Sequence, residues 1–157
     1  AVGPEGGPVL GVSDQPYIGE RFVGAAGQAH MSGPMGSHAI TTRAVSTLDD
    51  AILFTTFPEV GTAADRSGFG AVAQHVKLVR YGMDCYAYAL VAAGQVDLVI
   101  EAGLNSYDIQ APIALIEAAG GIVTNWEGGP VHQGGRALAA ANAEIHRAAL
   151  DILAGAA

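Results

Sequence analysis

The chain has 157 residues, 50% of them hydrophobic and 14% charged, which predicts a compact domain with a core of its own. Its 15 acidic and 7 basic residues give a formal net charge of −8, and this balance argues against a nucleic-acid or anionic-membrane partner, since both require clustered Lys and Arg. The single cysteine, Cys85, excludes an internal disulfide framework and suits a reducing cytoplasm, where we expect the protein to act.

Residues 1–45 favour short strands and glycine-rich turns. We predict a strand at 8–12, a turn at 13–16, a strand at 17–25, a turn-rich stretch at 27–37 and a third strand at 39–44. A three-stranded antiparallel meander with no helix of its own would bury its apolar face poorly. We therefore interpret residues 1–45 as the remnant of an N-terminal antiparallel-sheet domain.

Strands and helices alternate from residue 46 onward. The predicted strands span 51–55, 76–79, 96–100, 122–125 and 137–141. The predicted helices span 63–75, the run from Asp84 to Gly94, the run from Asp108 to Gly120, and 142–153, and a linker at 56–62 contains Pro58. This order predicts an α/β fold in which residues 46–157 form a layered αβα domain with a mostly parallel or mixed sheet.

Three carboxylates fall at the ends of predicted elements. Asp84 and Asp108 each begin a helix, and Glu101 follows an apolar strand. Because ligands in open α/β sheets bind beyond the carboxyl ends of strands, we expect an acidic pocket there that suits a hard cation or a cationic substrate. Simpler alternatives stay open, since an aspartate before a helix is ordinarily a cap and a carboxylate at a strand end can be solvated or paired.

The other polar residues favour structural roles. The five histidines show no paired zinc-ligand spacing, and no histidine lies near Cys85 in the sequence to activate it as a nucleophile. We expect Arg80 to pair with Glu101 or Asp97, and Trp126 to pack against the sheet.

An ordered set of segments resembles the inositol monophosphatase-like phosphatases. Tyr107-Asp108-Ile109-Gln110-Ala111, followed by Glu117-Ala118-Ala119-Gly120-Gly121, is similar to the family's second signature, in which a metal-binding aspartate precedes a helix that ends in Gly-Gly. Other segments match in the same order: Pro8-Val9-Leu10-Gly11-Val12, Glu20-Arg21-Phe22, Gly82-Met83-Asp84-Cys85-Tyr86 and Glu101-Ala102-Gly103-Leu104. The Gly82 to Tyr86 segment, Tyr107-Asp108 and the segment from Thr124 to Gly129 most resemble the histidinol-phosphatase branch.

The sequence also departs from the family's pattern. Members carry a catalytic glutamate and an Asp-Pro-x-Asp-Gly-Thr segment in their first half, and this chain contains no Asp-x-x-Asp-Gly. We therefore expect the chain to be the C-terminal part of a longer enzyme, inactive alone and associating with the missing N-terminal half or with another copy in a dimer.

The resemblance implies an αβαβα sandwich and a Mg²⁺-dependent phosphomonoesterase. It makes Asp108 the one metal ligand of this chain and assigns Gly82, Met83, Asp84 and Glu101 to substrate binding, with no other catalytic residue. Histidinol phosphate would be the substrate, its ammonium and imidazole donating to Asp84 and Glu101. The alternatives are an inositol-1-phosphate or other sugar phosphatase and, in a different class, an inactive domain that serves as an interaction subunit.

Overall fold

The computed structural model describes residue 3, residues 6–57, residue 59 and residues 61–156. Residues 1, 2, 4 and 5 of the predicted first unit, Pro58 and Val60 of the predicted linker, and Ala157 of the predicted second domain lie outside this range. The strands are β1 (Leu10–Gln15), β2 (Glu20–Ala25), β3 (Gln28–Gly33), β4 (Gly36–Ala39), β5 (Ile52–Thr55), β6 (Leu78–Tyr81), β7 (Leu98–Asn105), β8 (Ile122–Thr124) and β9 (Gly134–Ala140). The α-helices are α1 (Ala63–Ala73), α2 (Cys85–Ala92), α3 (Ser106–Ala118) and α4 (Ala143–Gly155).

The first sheet is antiparallel and contains its four strands in chain order. The predicted hairpin is confirmed, but the prediction of turns at 27–37 and a strand at 39–44 is wrong, since β3 and most of β4 lie in that turn-rich stretch. Gly27 and Gly36 adopt positive φ angles of 71° and 108°, so each forms part of a tight hairpin turn. Buried Ala29 between exposed neighbours gives β3 the two-residue period of a strand.

The second sheet is mixed, as predicted, with the strand order β6-β5-β7-β9-β8. β5 is parallel to β6 and β7, whereas β9 is antiparallel to both of its neighbours. β7 is longer than predicted because antiparallel pairing with β9 continues to Asn105, across an irregularity between Glu101 and Leu104. Leu98 and Val99 of β7 pair with Leu53 and Phe54 of β5, so Glu101 lies just beyond the carboxyl end of β5.

Helices α2 and α3 lie between the two sheets. A Cβ added at Gly11 would lie 2.1 Å from the Ala111 carbonyl oxygen, and one added at Gly24 would lie 2.5 Å from Leu115 Cα. These two glycines therefore let β1 and β2 approach the backbone of α3 closely. One core fills this interface and contains Phe22, Tyr88 and Ile109. The antiparallel sheet is therefore covered by a helix on one face. The division into two domains near residue 45 stays a prediction.

A second core lies on the other face of the mixed sheet, where α1 and α4 pack. Its members include Leu53, Phe69, Leu98, Ile145 and Trp126, whose indole Nε1 donates to the Ala137 carbonyl at 3.0 Å. Trp126 therefore packs against the sheet as the sequence predicts. The described helices include none that is both long and apolar enough to cross a membrane.

Candidate active site

A pocket of about 240 Å³ lies where β5 ends and where α2 and α3 begin. Asp84, Glu101 and Asp108 all line it, so the structure brings together the three carboxylates that the sequence analysis selected. The remaining lining residues are Thr55, Thr56, Phe57, Glu59, Gly61, Ala102, Gly103 and Leu104. Among these described residues there are four carboxylates and no Lys, Arg or His, so the pocket favours cations.

Asp108 is held at the N-terminus of α3. The helix begins at Ser106, two residues earlier than predicted, and Asp108 occupies its third position. Its Oδ2 accepts a hydrogen bond from the backbone N–H of Asn105 at 2.7 Å, which fixes the orientation of the carboxylate. The same side chain is therefore both a helix cap and a wall of the pocket, where the helix dipole favours its negative charge.

The loop before α2 is strained. Gly82, Met83 and Asp84 have successive φ angles of 98°, 75° and 49°, a left-handed conformation that is unfavourable for the two non-glycine residues. The Gly82 N–H donates to the carbonyls of Thr55 and Thr56 at 3.0 and 3.1 Å, which ties this loop to the end of β5. Asp84 Oδ1 accepts from the Cys85 N–H at 2.6 Å and lines the pocket, whereas the described lining includes neither Gly82 nor Met83.

Glu101 is buried at the floor of the pocket, with 6% of its surface exposed. Its Oε2 accepts from the Tyr88 hydroxyl at 2.9 Å, and its Oε1 accepts from the Thr56 N–H at 3.0 Å and from the Thr56 hydroxyl. Burial raises the pKa of Tyr88 well above its usual value, and the charge and hydrogen bond of Glu101 raise it further. Tyr88 therefore stays protonated and donates to the carboxylate.

Arg80 does not pair with Glu101 or Asp97, and that prediction is wrong. Its guanidinium donates to the Val79 carbonyl at 2.9 Å, and Asp97 pairs with Arg43 instead. The strand order explains the difference, because Arg80 lies on β6 and β5 separates β6 from β7.

Cys85 has the features of an unreactive thiol. Cys85 is exposed, but partial desolvation raises its pKa above the usual value, and the neighbouring charge of Asp84 raises it further. The thiolate is therefore disfavoured, which argues against Cys85 as a nucleophile.

Sequence reasoning missed Thr56, Tyr88 and Glu59 as residues of this site. Thr56 follows a strand that ends at the pocket, which is the signal that selected Glu101. Tyr88 comes four residues after Asp84, a spacing that puts it on the same side of α2. Glu59 lies in the predicted linker and carries no such signal.

The side-chain oxygens of the pocket are of the type that binds a hard cation. Carboxylate and hydroxyl oxygens are the ligands that Mg²⁺ prefers, and the described lining contains neither His nor Cys. Within the described part of the chain, however, no three acidic, His or Cys side chains are grouped closely enough to hold a metal ion. These residues can thus supply only part of a coordination sphere.

A model of the inositol monophosphatase family matches residues 1–156 of the chain. The chain belongs to this family. Among its relatives, the bifunctional phosphatase IMPL2 of Arabidopsis thaliana is 39% identical over 95% of the chain and 45% of that protein. The histidinol-phosphatase of Streptomyces coelicolor is 30% identical over 95% of the chain and 58% of that protein.

The solved structures confirm the predicted fold. An inositol monophosphatase from Zymomonas mobilis is 33% identical and superimposes with a TM-score of 0.88 over 94% of this chain and 58% of that one. The chain thus spans about half the length of the relatives that it matches. The relatives named here are phosphatases.

Proposed function

We propose that this chain forms part of a metal-dependent phosphomonoesterase and that its acidic pocket receives the leaving group of histidinol phosphate. The observation that carries the proposal is the presence of Glu59, Asp84, Glu101 and Asp108 in one pocket whose described lining has no basic side chain. Histidinol carries an ammonium group and an imidazole, so its charge complements the pocket. The histidinol-phosphatase among the relatives supports the same substrate.

Asp108 is the residue of this chain that we assign to the metal ion. Its oxygen donor suits Mg²⁺, and its hydrogen bond from Asn105 holds the carboxylate in one orientation. When bound, Mg²⁺ would lower the pKa of a coordinated water and neutralise charge on the phosphoryl group. Because the described residues contain no cluster of three ligands, we infer that the other ligands come from sequence outside these 157 residues, the N-terminal half of the enzyme.

Asp84 and Glu101 are the residues that we assign to the substrate's cationic groups. A carboxylate that accepts from an ammonium or imidazolium forms a charge-assisted hydrogen bond, which is stronger than a neutral one. Gly82 and Met83 complete this assignment, because their strained backbone sets the direction from which Asp84 enters the pocket.

A sugar phosphate with an uncharged leaving group is the second candidate substrate. The similarity to the Zymomonas mobilis inositol monophosphatase favours it, and the same carboxylates can accept hydrogen bonds from hydroxyl groups. The incomplete set of metal ligands favours a third reading, in which the chain is an inactive interaction subunit.

We also propose that the outer face of the antiparallel sheet is an interface. Leu10 and Val12 are 41% and 49% exposed there, so association with the rest of the enzyme or with a second copy in a dimer would bury apolar surface.

Phosphate release by the natural full-length protein tests the proposed function. We expect Mg²⁺-dependent hydrolysis with a higher kcat/KM for histidinol phosphate than for inositol 1-phosphate, and no hydrolysis by residues 1–157 alone. A higher kcat/KM for inositol 1-phosphate would favour the second candidate. Absence of hydrolysis of either ester by the full-length protein would favour the interaction subunit.

A further inference from the structure

The carboxylate of Glu101 is a buried anion that is stabilised by neutral donors. The ion pairs among the described residues join arginines to Asp14, Asp65, Asp97 and Glu127, and none of them includes Glu101. Its three hydrogen bonds come instead from Tyr88 and Thr56. Such donors stabilise the charged form without cancelling the charge, so the anion remains able to attract a cation in the pocket.

The donors also determine which part of the carboxylate is still free to accept. A carboxylate offers about four lone-pair positions, two on each oxygen. Both donors of Thr56 converge on Oε1, and Tyr88 takes one position on Oε2. One acceptor position therefore remains on Oε2.

Both donors are rigidly placed by the fold. Tyr88 lies on α2 with 1% of its surface exposed and belongs to the core between the two sheets. Thr56 directly follows β5, the strand that pairs with β7 on the amino-terminal side of Glu101. The orientation of Glu101 is thus determined by a helix and a strand end rather than by the substrate.

We propose that Tyr88 and Thr56 are positioning residues that hold Glu101 as an oriented anion, with one Oε2 position directed to a cationic group of the substrate. This proposal rests on the proposed function and deepens it, because it assigns the preference for a cationic leaving group to a specific hydrogen-bond arrangement. Both residues act through Glu101, so they affect the binding of the leaving group and not the chemistry at phosphorus.

Replacement of Tyr88 by phenylalanine in the full-length protein is the principal test. Y88F removes only the hydroxyl that donates to Oε2, and the loss of a hydrogen bond to a charged group should raise KM for histidinol phosphate about tenfold. We expect kcat to stay within about twofold of the wild-type value, because the lost hydrogen bond stabilises the bound substrate and the transition state equally. KM for inositol 1-phosphate, whose leaving group is uncharged, should change much less.

Tyr86 provides the matched control. It lies on the same helix, and its hydroxyl donates to Glu20 Oε2 at 2.5 Å, on the side of the antiparallel sheet. Y86F therefore also removes a tyrosine–carboxylate hydrogen bond, but outside the pocket, and KM for both esters should stay at the wild-type value.

Thr56 gives an independent second test, which also decides the matter if Y88F does not fold. T56V removes the hydroxyl donor with little change of shape and should raise KM for histidinol phosphate. T56S keeps a hydroxyl donor and should have the wild-type KM. Thermal melting of each variant shows whether it is folded.

The outcomes separate this proposal from the proposed function. If the wild-type protein does not prefer histidinol phosphate, the proposed function fails. If it does, but Y88F and T56V keep the wild-type KM, or raise KM equally for histidinol phosphate and inositol 1-phosphate, the positioning role is overturned.

Discussion

Arg43 forms a two-point ion pair with the buried carboxylate of Asp97. Its Nε lies 2.9 Å from Oδ1 and its Nη2 lies 2.6 Å from Oδ2, and Oδ2 also accepts from the Ile52 N–H at 2.8 Å. Asp97 is fully buried just before β7. The pair therefore joins the segment that leaves the antiparallel sheet to the central strands of the mixed sheet.

Loss of the arginine should destabilise the fold. R43A leaves a buried charge without its partner, and we expect the free energy of unfolding to fall by about 2 to 3 kcal/mol, somewhat less than for a fully buried pair because Arg43 is partly exposed. Urea denaturation measures the change. The control is R21A, which breaks the exposed Arg21–Asp14 pair and should leave the unfolding midpoint almost unchanged. Equal shifts in the two variants would contradict the structural role of Arg43.

The close contact between the antiparallel sheet and α3 predicts a second difference in stability. G24A places a methyl group 2.5 Å from Leu115 Cα, so the sheet and helix must separate, and we expect a loss of about 2 kcal/mol or more, as for other overpacked cores.

Gly70 is the matched control for Gly24. It lies within α1 and an added Cβ would meet nothing within 4 Å, so G70A should stabilise the protein by about 0.5 to 1 kcal/mol through its helix propensity. If G24A and G70A have the same free energy of unfolding in denaturant, this result contradicts the close packing of α3 against β2.

His146 makes stability depend on pH. It is buried in α4 and contacts Thr124 Oγ1 through Nε2 at 2.8 Å, and burial lowers its pKa below the usual 6.5. The unfolded chain therefore binds a proton more readily than the folded one, so this contribution to stability is complete above pH 6.5 and is lost as the pH falls through the lowered pKa. H146Q should lose less stability than the wild type between pH 7.5 and pH 5.5, as measured by urea unfolding at each pH. The exposed His38 serves as control, and a pH dependence in H146Q as steep as in H38Q would refute the assignment.

Removal of the charge of Glu101 tests the assignment of the leaving-group site. In the full-length protein, E101Q should raise KM for histidinol phosphate by about tenfold or more, since a charge-assisted hydrogen bond becomes a neutral one. KM for inositol 1-phosphate should rise far less. E127Q removes an exposed carboxylate outside the pocket and is expected to leave both values unchanged. Equal increases for the two esters in E101Q would defeat the assignment.

Local sequence predicts the convergence of the three carboxylates because each lies at a position that depends on nearby residues. The apolar run before Glu101 specifies a buried strand, and the starts of α2 and α3 lie close to Asp84 and Asp108. The general position of ligands beyond strand ends then brings the side chains to one edge of the sheet.

The hydrogen-bond partners of Glu101 could not be predicted in this way. Thr56 reaches Glu101 because β5 lies beside β7, and Arg80 does not because β6 lies beyond β5. Strand order is a property of the whole fold, and no local pattern encodes it. Composition also misled the prediction for β3 and β4, since Gly27 and Gly36 at two hairpin turns resemble the glycines of an irregular loop.

Binding of Mg²⁺ at Asp108 is the most direct test of the active-site assignment. D108N keeps an oxygen that can accept from the Asn105 N–H and so preserves the helix cap, but it removes the anionic ligand. Isothermal titration with Mg²⁺ alone should show that full-length D108N binds the ion more than about tenfold more weakly than the wild-type protein does. A loss of at least that size is typical even for residues outside the coordination shell. D151N, on the exposed side of α4, should bind as the wild type does. Wild-type Mg²⁺ affinity in D108N would contradict the assignment.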